Sequence, residues 1–204
     1  MVENQLLPRG IHNTEVLNAM LKVPRHLFVP PGQKHRAYLD SALPIEENQT
    51  ISQPYIVALM TQSAELKNSH KVLEIGTGSA YQAAVLAEIV EEVYTIEIIQ
   101  PLFKQASKLL KFLDYKNIST KFGDGYKGWK DHAPYDAILI TAATPKIPAP
   151  LIDQLKVGGK MVLPLSESPF SQNLIVLTKM KDGSLEKAFI AAVVFVPMTG
   201  EVRK

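Results

Sequence analysis

The sequence predicts an α/β protein: a doubly wound, mostly parallel sheet of seven strands that ends in an antiparallel hairpin, with a helical N-terminal extension. Three observations carry this. From Val72 onward, short runs rich in β-branched and aromatic residues alternate with stretches of helical period, the pattern of parallel strands covered on both faces. The first of these strands runs into a turn holding Gly76 and Gly78 and then into a helix. Near the end, Lys181-Asp182-Gly183-Ser184 separates two strand-like runs, and Asp-Gly between such runs is a hairpin signal.

The elements follow in order. In "NTEVLNAMLKV", Asn13 or Thr14 can cap a helix whose Val16, Leu17, Met20 and Leu21 recur at helical spacing. The segment "AYLDSALPIEENQTIS" has little periodicity and reads as ordered loop with short extended pieces. "QPYIVALMTQSAEL" is a second helix, with Pro54 in the first turn, where its missing N–H costs nothing. Then "KVLEI" is a strand, "AYQAAVLAEIV" a helix, "EVYTIE" a strand, "PLFKQASKLLKFL" a helix and "ISTKF" a strand. "YDAILITAA" is an apolar strand, "PAPLIDQL" a short helix, and "GGKMVLPL" a strand after a glycine helix stop. "QNLIVLTKM" and "EKAFIAAVVFV" form the hairpin.

Composition narrows the classes. The 204 residues allow one α/β domain with a real core, and 46% apolar with 21% charged residues is ordinary for a globular protein. A net charge of +2, with the basic residues scattered, gives no reason to expect nucleic-acid or membrane partners. The chain has no cysteine, which removes disulfides, thiolate metal sites and a cysteine nucleophile and suits a reducing compartment. The histidines His12, His26, His35, His70 and His132 lack metal-ligand spacing, so no metal is expected. No apolar run approaches the ~18 residues of a membrane span, and "MVENQLLPRGIHN" lacks a secretory layout. A cytoplasmic protein is expected.

The turn "EIGTGSAYQ" carries the first chemical signal. Gly76 and Gly78 let backbone approach a ligand closely, and the following helix offers unpaired N–H groups. Tyr81 stands where a dinucleotide loop has its third glycine. Glu97 ends the second strand about 20 residues on, placed for ribose hydroxyls. Glu74, just before the first glycine, is awkward for a pyrophosphate and suits a ligand with positive charge. Together these favour a nucleoside cofactor carrying a cation, S-adenosylmethionine, over a plain strand-to-helix turn. In "FGDGYKGW", Gly123 and Gly125 bracket Asp124, whose carboxylate can reach an adenine amino group. A functionless Asp-Gly turn is the plain alternative. Tyr126 and Trp129 are expected to pack around the adenine side, and Arg25 and Arg36 to be solvated surface charges in preference to steering an acidic substrate.

The segments "VPRHLFVP", "AYLDSALPI", "QTISQPYIVALM", "VLEIGTGSAYQAAVLA", "GDGYKGW", "PYDAILITAA" and "FVPMTG" occur in this order along nearly the whole chain. In them the sequence resembles the protein-L-isoaspartate (D-aspartate) O-methyltransferases. The resemblance implies a Rossmann-like class I methyltransferase fold, with residues 1–70 covering the substrate side and 71–204 binding S-adenosylmethionine. It implies methyl transfer to the free α-carboxylate of isoaspartyl residues in damaged proteins and peptides, and S-adenosylhomocysteine as the product. It maps a catalytic residue onto Ser52, with Gln49, Thr50 and Ile51 beside it on the substrate. Glu74, Gly76, Thr77, Gly78, Glu97, Asp124, Gly125 and Thr141 fall on cofactor positions, and Ala142, Ala143, Val196 and Pro197 near the substrate. A monomer is expected. Three departures stand out: Ala80 for a third glycine, "IEENQT" for a glycine-containing segment, and Ser166 followed by "ESPFSQ".

The chemistry agrees with a serine. A carboxylate with pKa near ~4 is ionised at neutral pH and needs no strong base. Ser52 lies in no G-x-S-x-G elbow, which disfavours a hydrolase; without the resemblance it would read as a helix-capping serine. The alternatives are a methyltransferase of a small molecule or other acceptor, a non-catalytic cofactor-binding protein, and an NAD-dependent oxidoreductase. The last is disfavoured by Tyr81 and the terminal hairpin.

Overall fold

Asn13 opens the first regular helix. In the computed structural model, which describes residues 1–168 and 171–203, its side-chain oxygen accepts a hydrogen bond from Val16 N at 3.1 Å. Helix α1 spans Thr14–Lys22 and buries Val16, Ala19 and Met20. Leu21, expected on the apolar stripe, is 68% exposed, because it lies more than a third of a turn from the Val16–Met20 line. The loop that follows contains two short antiparallel strands, β1 (Leu43–Pro44) and β2 (Thr50–Ile51). Helix α2 (Pro54–Ser63) starts on its proline and buries Val57, Ala58, Met60 and Thr61. Its N-cap is Gln53, with no side-chain capping bond, so Ser52 is not a capping residue.

The sheet contains β3 (Lys71–Ile75), β4 (Glu92–Glu97), β5 (Ile118–Phe122), β6 (Tyr135–Ile140), β7 (Leu155–Ser168), β8 (Ser171–Lys179) and β9 (Leu185–Val193). Their order is β5-β4-β3-β6-β7-β8-β9. Strands β3 to β7 pair in parallel, and β8 runs antiparallel to both β7 and β9. Seven strands ending in an antiparallel hairpin is the architecture expected from the alternation. The chain builds outward from β3 to β4 and β5, then crosses back to β6. The crevice at the carboxyl end of β3 is therefore a topological switch point, where such sheets bind ligands.

Period-two alternation splits the interior into two faces. Val72, Ala137, Leu139 and Val162 pack with helix α3 (Tyr81–Ala87) and with Val2, Leu6, Ile11, Met20, Phe28, Leu43 and Val57 of the N-terminal region. The extension thus shares its core with the sheet. Leu73, Ile75, Ile138, Ile140, Met161 and Leu163 face the other way, against Leu151 of α5 (Ala149–Asp153) and against Met198 and Val202 near the end. Helix α4 (Gln100–Phe112) buries Leu102, Ala106 and Leu110, spaced by four.

One expectation needs correction. Gly158 and Gly159 do not stop a helix: α5 ends at Asp153, and the pair lies inside β7. There the register to β6 jumps from Tyr135–Leu155 to Ala137–Lys160, and Gly158 has φ +79°. Gln154 ends the helix instead, its amide donating to Pro150 O and Lys127 O. Of the "ESPFSQ" departure, Pro169 and Phe170 lie outside the described residues. The Asp-Gly hairpin has the expected place, with Met180 N donating to Ser184 O at 2.8 Å. Among the described residues, no helix is long and apolar enough to cross a membrane.

Candidate functional site

Strands β3, β4 and β6 deliver their carboxyl ends to one cleft, at the edge of the sheet where such folds take small-molecule ligands. One wall is the strand tips and the glycine turn: Glu74, Gly76, Thr77, Gly78, Glu97, Gly125, Thr141 and Ala142. Gln49, Thr50, Ile51 and Ser52 line the same cleft, as do Val196 and Pro197. Of the residues that the resemblance maps onto the cofactor or substrate, Asp124 and Ala143 do not line it.

Glu74 is fully buried. Thr95 Oγ1 donates to its Oε2 at 2.5 Å, and Thr77 Oγ1 lies 2.6 Å from Thr95 Oγ1. Since Thr95 spends its proton on Glu74, Thr77 donates to Thr95. Glu74 Oε1 has no partner in the protein. Burial pushes the carboxyl up to about 8; the Thr95 bond opposes this, and the Glu97 charge adds to it. Glu97 holds the turn in place: its Oε2 accepts from Gly78 N and its Oε1 from Ile99 N, both at 2.8 Å.

Close backbone approach accounts for two glycines. Gly76 has φ +99°, and a Cβ there would sit 2.5 Å from Thr141 Oγ1, the hydroxyl that reaches Gly76 O at 2.7 Å. A Cβ on Gly125 would overlap Ile75 Cγ2. Ala80 is fully buried with φ +70°, so it takes the left-handed conformation that glycine would supply more easily.

Asp124 bonds two backbone N–H groups. Its Oδ1 accepts from Tyr126 N at 2.9 Å and its Oδ2 from Glu201 N at 2.8 Å, so it anchors the C-terminal segment to the loop carrying Gly125. Ala143 pairs with that segment through its backbone: Ala143 N donates to Val196 O and Met198 N to Ala143 O, each at 2.8 Å. Tyr126 and Trp129 pack against the second core cluster and do not line the cleft. Trp129 meets Tyr94 edge-on.

Other residues on the wall carried a weaker signal in the sequence. Ile98, Ile99, Leu102 and Met198 supply apolar surface, and Tyr81 and Gln82 of α3 complete the lining. The Ile98-Ile99 pair directly after the strand-end acid was the one legible hint. The largest correction is Arg25. Expected as a solvated charge, it is fully buried, with an N–H donating to Ser52 O at 2.7 Å. Arg36 is exposed as expected.

A family model described as protein-L-isoaspartate(D-aspartate) O-methyltransferase matches residues 1–203. A relative named protein-L-isoaspartate O-methyltransferase 2, from Shewanella sediminis, is 56% identical over 204 residues, covering 100% of this chain and 83% of its own. The chain belongs to this family. A second member, from Gloeobacter violaceus, is 52% identical over 201 residues, 98% of each chain. The fold matches a structure described as this methyltransferase from Plasmodium falciparum, in complex with S-adenosyl-L-homocysteine. The TM-score is 0.84 at 26% identity, over 97% of this chain and 96% of that one.

S-adenosylmethionine fits the family cleft on this chain's own atoms. The orphaned, buried Glu74 Oε1 lacks a donor, which a cationic ligand supplies. Each Glu97 oxygen takes a single backbone N–H, leaving lone pairs for hydroxyl donors. Among the described residues, no group of His, Asp and Glu is placed to hold a metal ion.

Proposed function

We propose that this chain methylates the free α-carboxylate of L-isoaspartyl and D-aspartyl residues in damaged proteins and peptides, using S-adenosylmethionine. The observation that carries this is the presence, in one cleft, of two strand-end acids and a neutral hydroxyl segment containing Ser52. The acids suit a cationic nucleoside. A segment without a base suits an acceptor that is already ionised.

When bound, S-adenosylmethionine supplies an electrophilic methyl group on a sulfonium sulfur. The chain contributes placement. Glu97 would take the ribose hydroxyls, Glu74 a cationic group, and Gly125 leaves room for close approach. Ser52 Oγ donates to one oxygen of the acceptor carboxylate and so aims the other. Such orientation is worth roughly 7–11 kcal/mol at its best. Thr141 fixes the glycine turn by bonding Gly76 O, and Ile98, Ile99, Leu102 and Met198 keep water from the cleft. Asp124 acts from behind the wall by fixing the Gly125 loop.

The ester formed carries a better leaving group, methanol, than the free carboxylate does. The backbone nitrogen of the next residue attacks it, methanol departs, and the resulting succinimide reopens partly to normal aspartate. The same reading has the enzyme acting as a monomer in the cytoplasm, on proteins and peptides and not on nucleic acid or membranes. Its cysteine-free sequence and scattered charge support that setting. The test is labelled methyl transfer to an isoaspartyl peptide and to its aspartyl twin, beside calorimetry with S-adenosylhomocysteine and NAD. Transfer to the isoaspartyl peptide alone is expected. Equal labelling of both peptides, or preference for NAD, would defeat the assignment.

A further inference from the structure

Arg25 is fully buried, yet no carboxylate forms an ion pair with it among the described residues. Its Nε donates to Ala37 O at 2.8 Å and its Nη2 to Ser52 O at 2.7 Å, while Nη1 has no partner in the protein. Its Cζ lies 4.7 Å from the ring centroid of Tyr81, the first residue of α3 and part of the cleft wall. One side chain therefore ties together the "AYLD" segment, the Ser52 segment and the helix after the glycine turn. Burial lowers the guanidinium to about 10, which leaves it charged at neutral pH.

Stability is a poor explanation for this arrangement. A buried charge without a counter-ion is costly, and an apolar side chain of similar length packs in such places at no loss. An approaching carboxylate meets Glu97, whose charge is repulsive, while the buried Glu74 carboxyl keeps its proton at neutral pH. Arg25 lies behind the Ser52 segment, and a buried charge is screened less than an exposed one. It does not reach the wall, so it acts through the Ser52 peptide.

We propose that Arg25 is a positioning residue for the methyl transfer: it fixes the Ser52 peptide against the cleft and gives that wall the positive potential that attracts the acceptor carboxylate. This rests on the reading of the acceptor as a carboxylate. The wild type, Arg25→Met and Arg25→Lys are compared with S-adenosylmethionine and an isoaspartyl peptide. Calorimetric affinity for S-adenosylhomocysteine and Tm are measured alongside. Folded Arg25→Met is expected to lose about 100-fold in kcat/KM, chiefly by a raised peptide KM, with its S-adenosylhomocysteine affinity kept. Arg25→Lys keeps the charge but cannot bridge both carbonyls, so it should restore KM while kcat stays reduced.

Wild-type kcat and KM in folded Arg25→Met would overturn the proposal. So would a parallel loss of S-adenosylhomocysteine affinity, the mark of a merely structural role. If Arg25→Met does not fold, Arg25→Lys decides: a kept KM with lowered kcat supports the proposal, and any other pattern refutes it. A wild type inactive on the isoaspartyl peptide sinks the functional reading itself, a result distinct from a variant that matches an active wild type.

Discussion

Ser52 presents its carbonyl to Arg25 and lines the cleft, which leaves its hydroxyl for the acceptor. Ser52→Ala is expected to lower kcat by about 10- to 100-fold, the loss of one aimed hydrogen bond, with S-adenosylhomocysteine affinity unchanged by calorimetry. A parallel fall in both would mean that the serine only shapes the cleft. Glu74 makes the pH prediction. Its carboxyl stands at about 8 in the fold against 4.5 for an ordinary glutamate. Between those values the folded state holds a proton that the unfolded chain has released, so this group's contribution to stability falls as pH rises. Glu74→Gln, uncharged throughout, should melt above the wild type at pH 9, and its advantage should shrink toward pH 5. A Tm difference that stays constant across that range would contradict the assignment. Ala80 shows how magnitudes decide a departure from glycine. Its left-handed φ costs roughly 1–2 kcal/mol. Its lower backbone entropy when unfolded returns about 0.5–1 kcal/mol, and its buried methyl about 0.8 kcal/mol. These nearly cancel, and alanine can stand there.

The β1–β2 hairpin is where an element departs most from its best sequence. Ile45 N donates to Gln49 O and Gln49 N to Glu46 O, closing a tight turn whose central residues, Glu47 and Asn48, have φ +57° and +55°. Two successive positive φ values define the turn type that prefers Asn-Gly. Asn48 tolerates that geometry and Glu47 does not. Glu47→Asn is expected to stabilise by about 1 kcal/mol, read as a raised urea midpoint with unchanged m; a lowered midpoint would show that the carboxylate makes a contact outweighing the strain. The sequence could not announce this hairpin, because strands of two residues leave no period to read. The sheet was legible for the opposite reason. "KVLEI", "EVYTIE" and "ISTKF" match β3, β4 and β5 residue for residue, the central β3 and β4 because strands covered on both faces are mostly apolar, and the edge strand β5 by its β-branched and aromatic residues. Gly158-Gly159 misled because two glycines signal a helix stop and a strand irregularity alike.

At the scale of the whole molecule, the cleft is closed by a segment far away in sequence. Val196, Pro197, Met198 and Thr199 form part of its wall, held by the backbone of Ala143 and by Asp124. The strand-end acids Glu74 and Glu97 could be found from sequence, since local spacing fixes their depth. Arg25 could not, because nothing local tells an arginine that the chain will fold over it. The long-range bond of Asp124 was equally hidden: its carboxylate serves Glu201, 77 residues away. That contact is testable. Two backbone N–H groups bond to the half-buried carboxylate, and charge-assisted bonds of this kind, reduced for partial exposure, come to about 2 kcal/mol together. The nearby Lys127–Glu201 pair is mostly exposed and adds little. Asp124→Ala should therefore lower Tm by roughly 4–8 °C, and Asp124→Asn, which keeps one acceptor, by less. Because the lost bond ties down a wall of the cleft, S-adenosylhomocysteine should also bind more weakly to the alanine variant. Hydrogen exchange separates this from general loosening. Amides of Val196 to Val202 should exchange faster in Asp124→Ala while those of β3, β4 and β6 stay protected. Uniform acceleration, or none in the C-terminal segment, would show that Asp124 does not hold that wall.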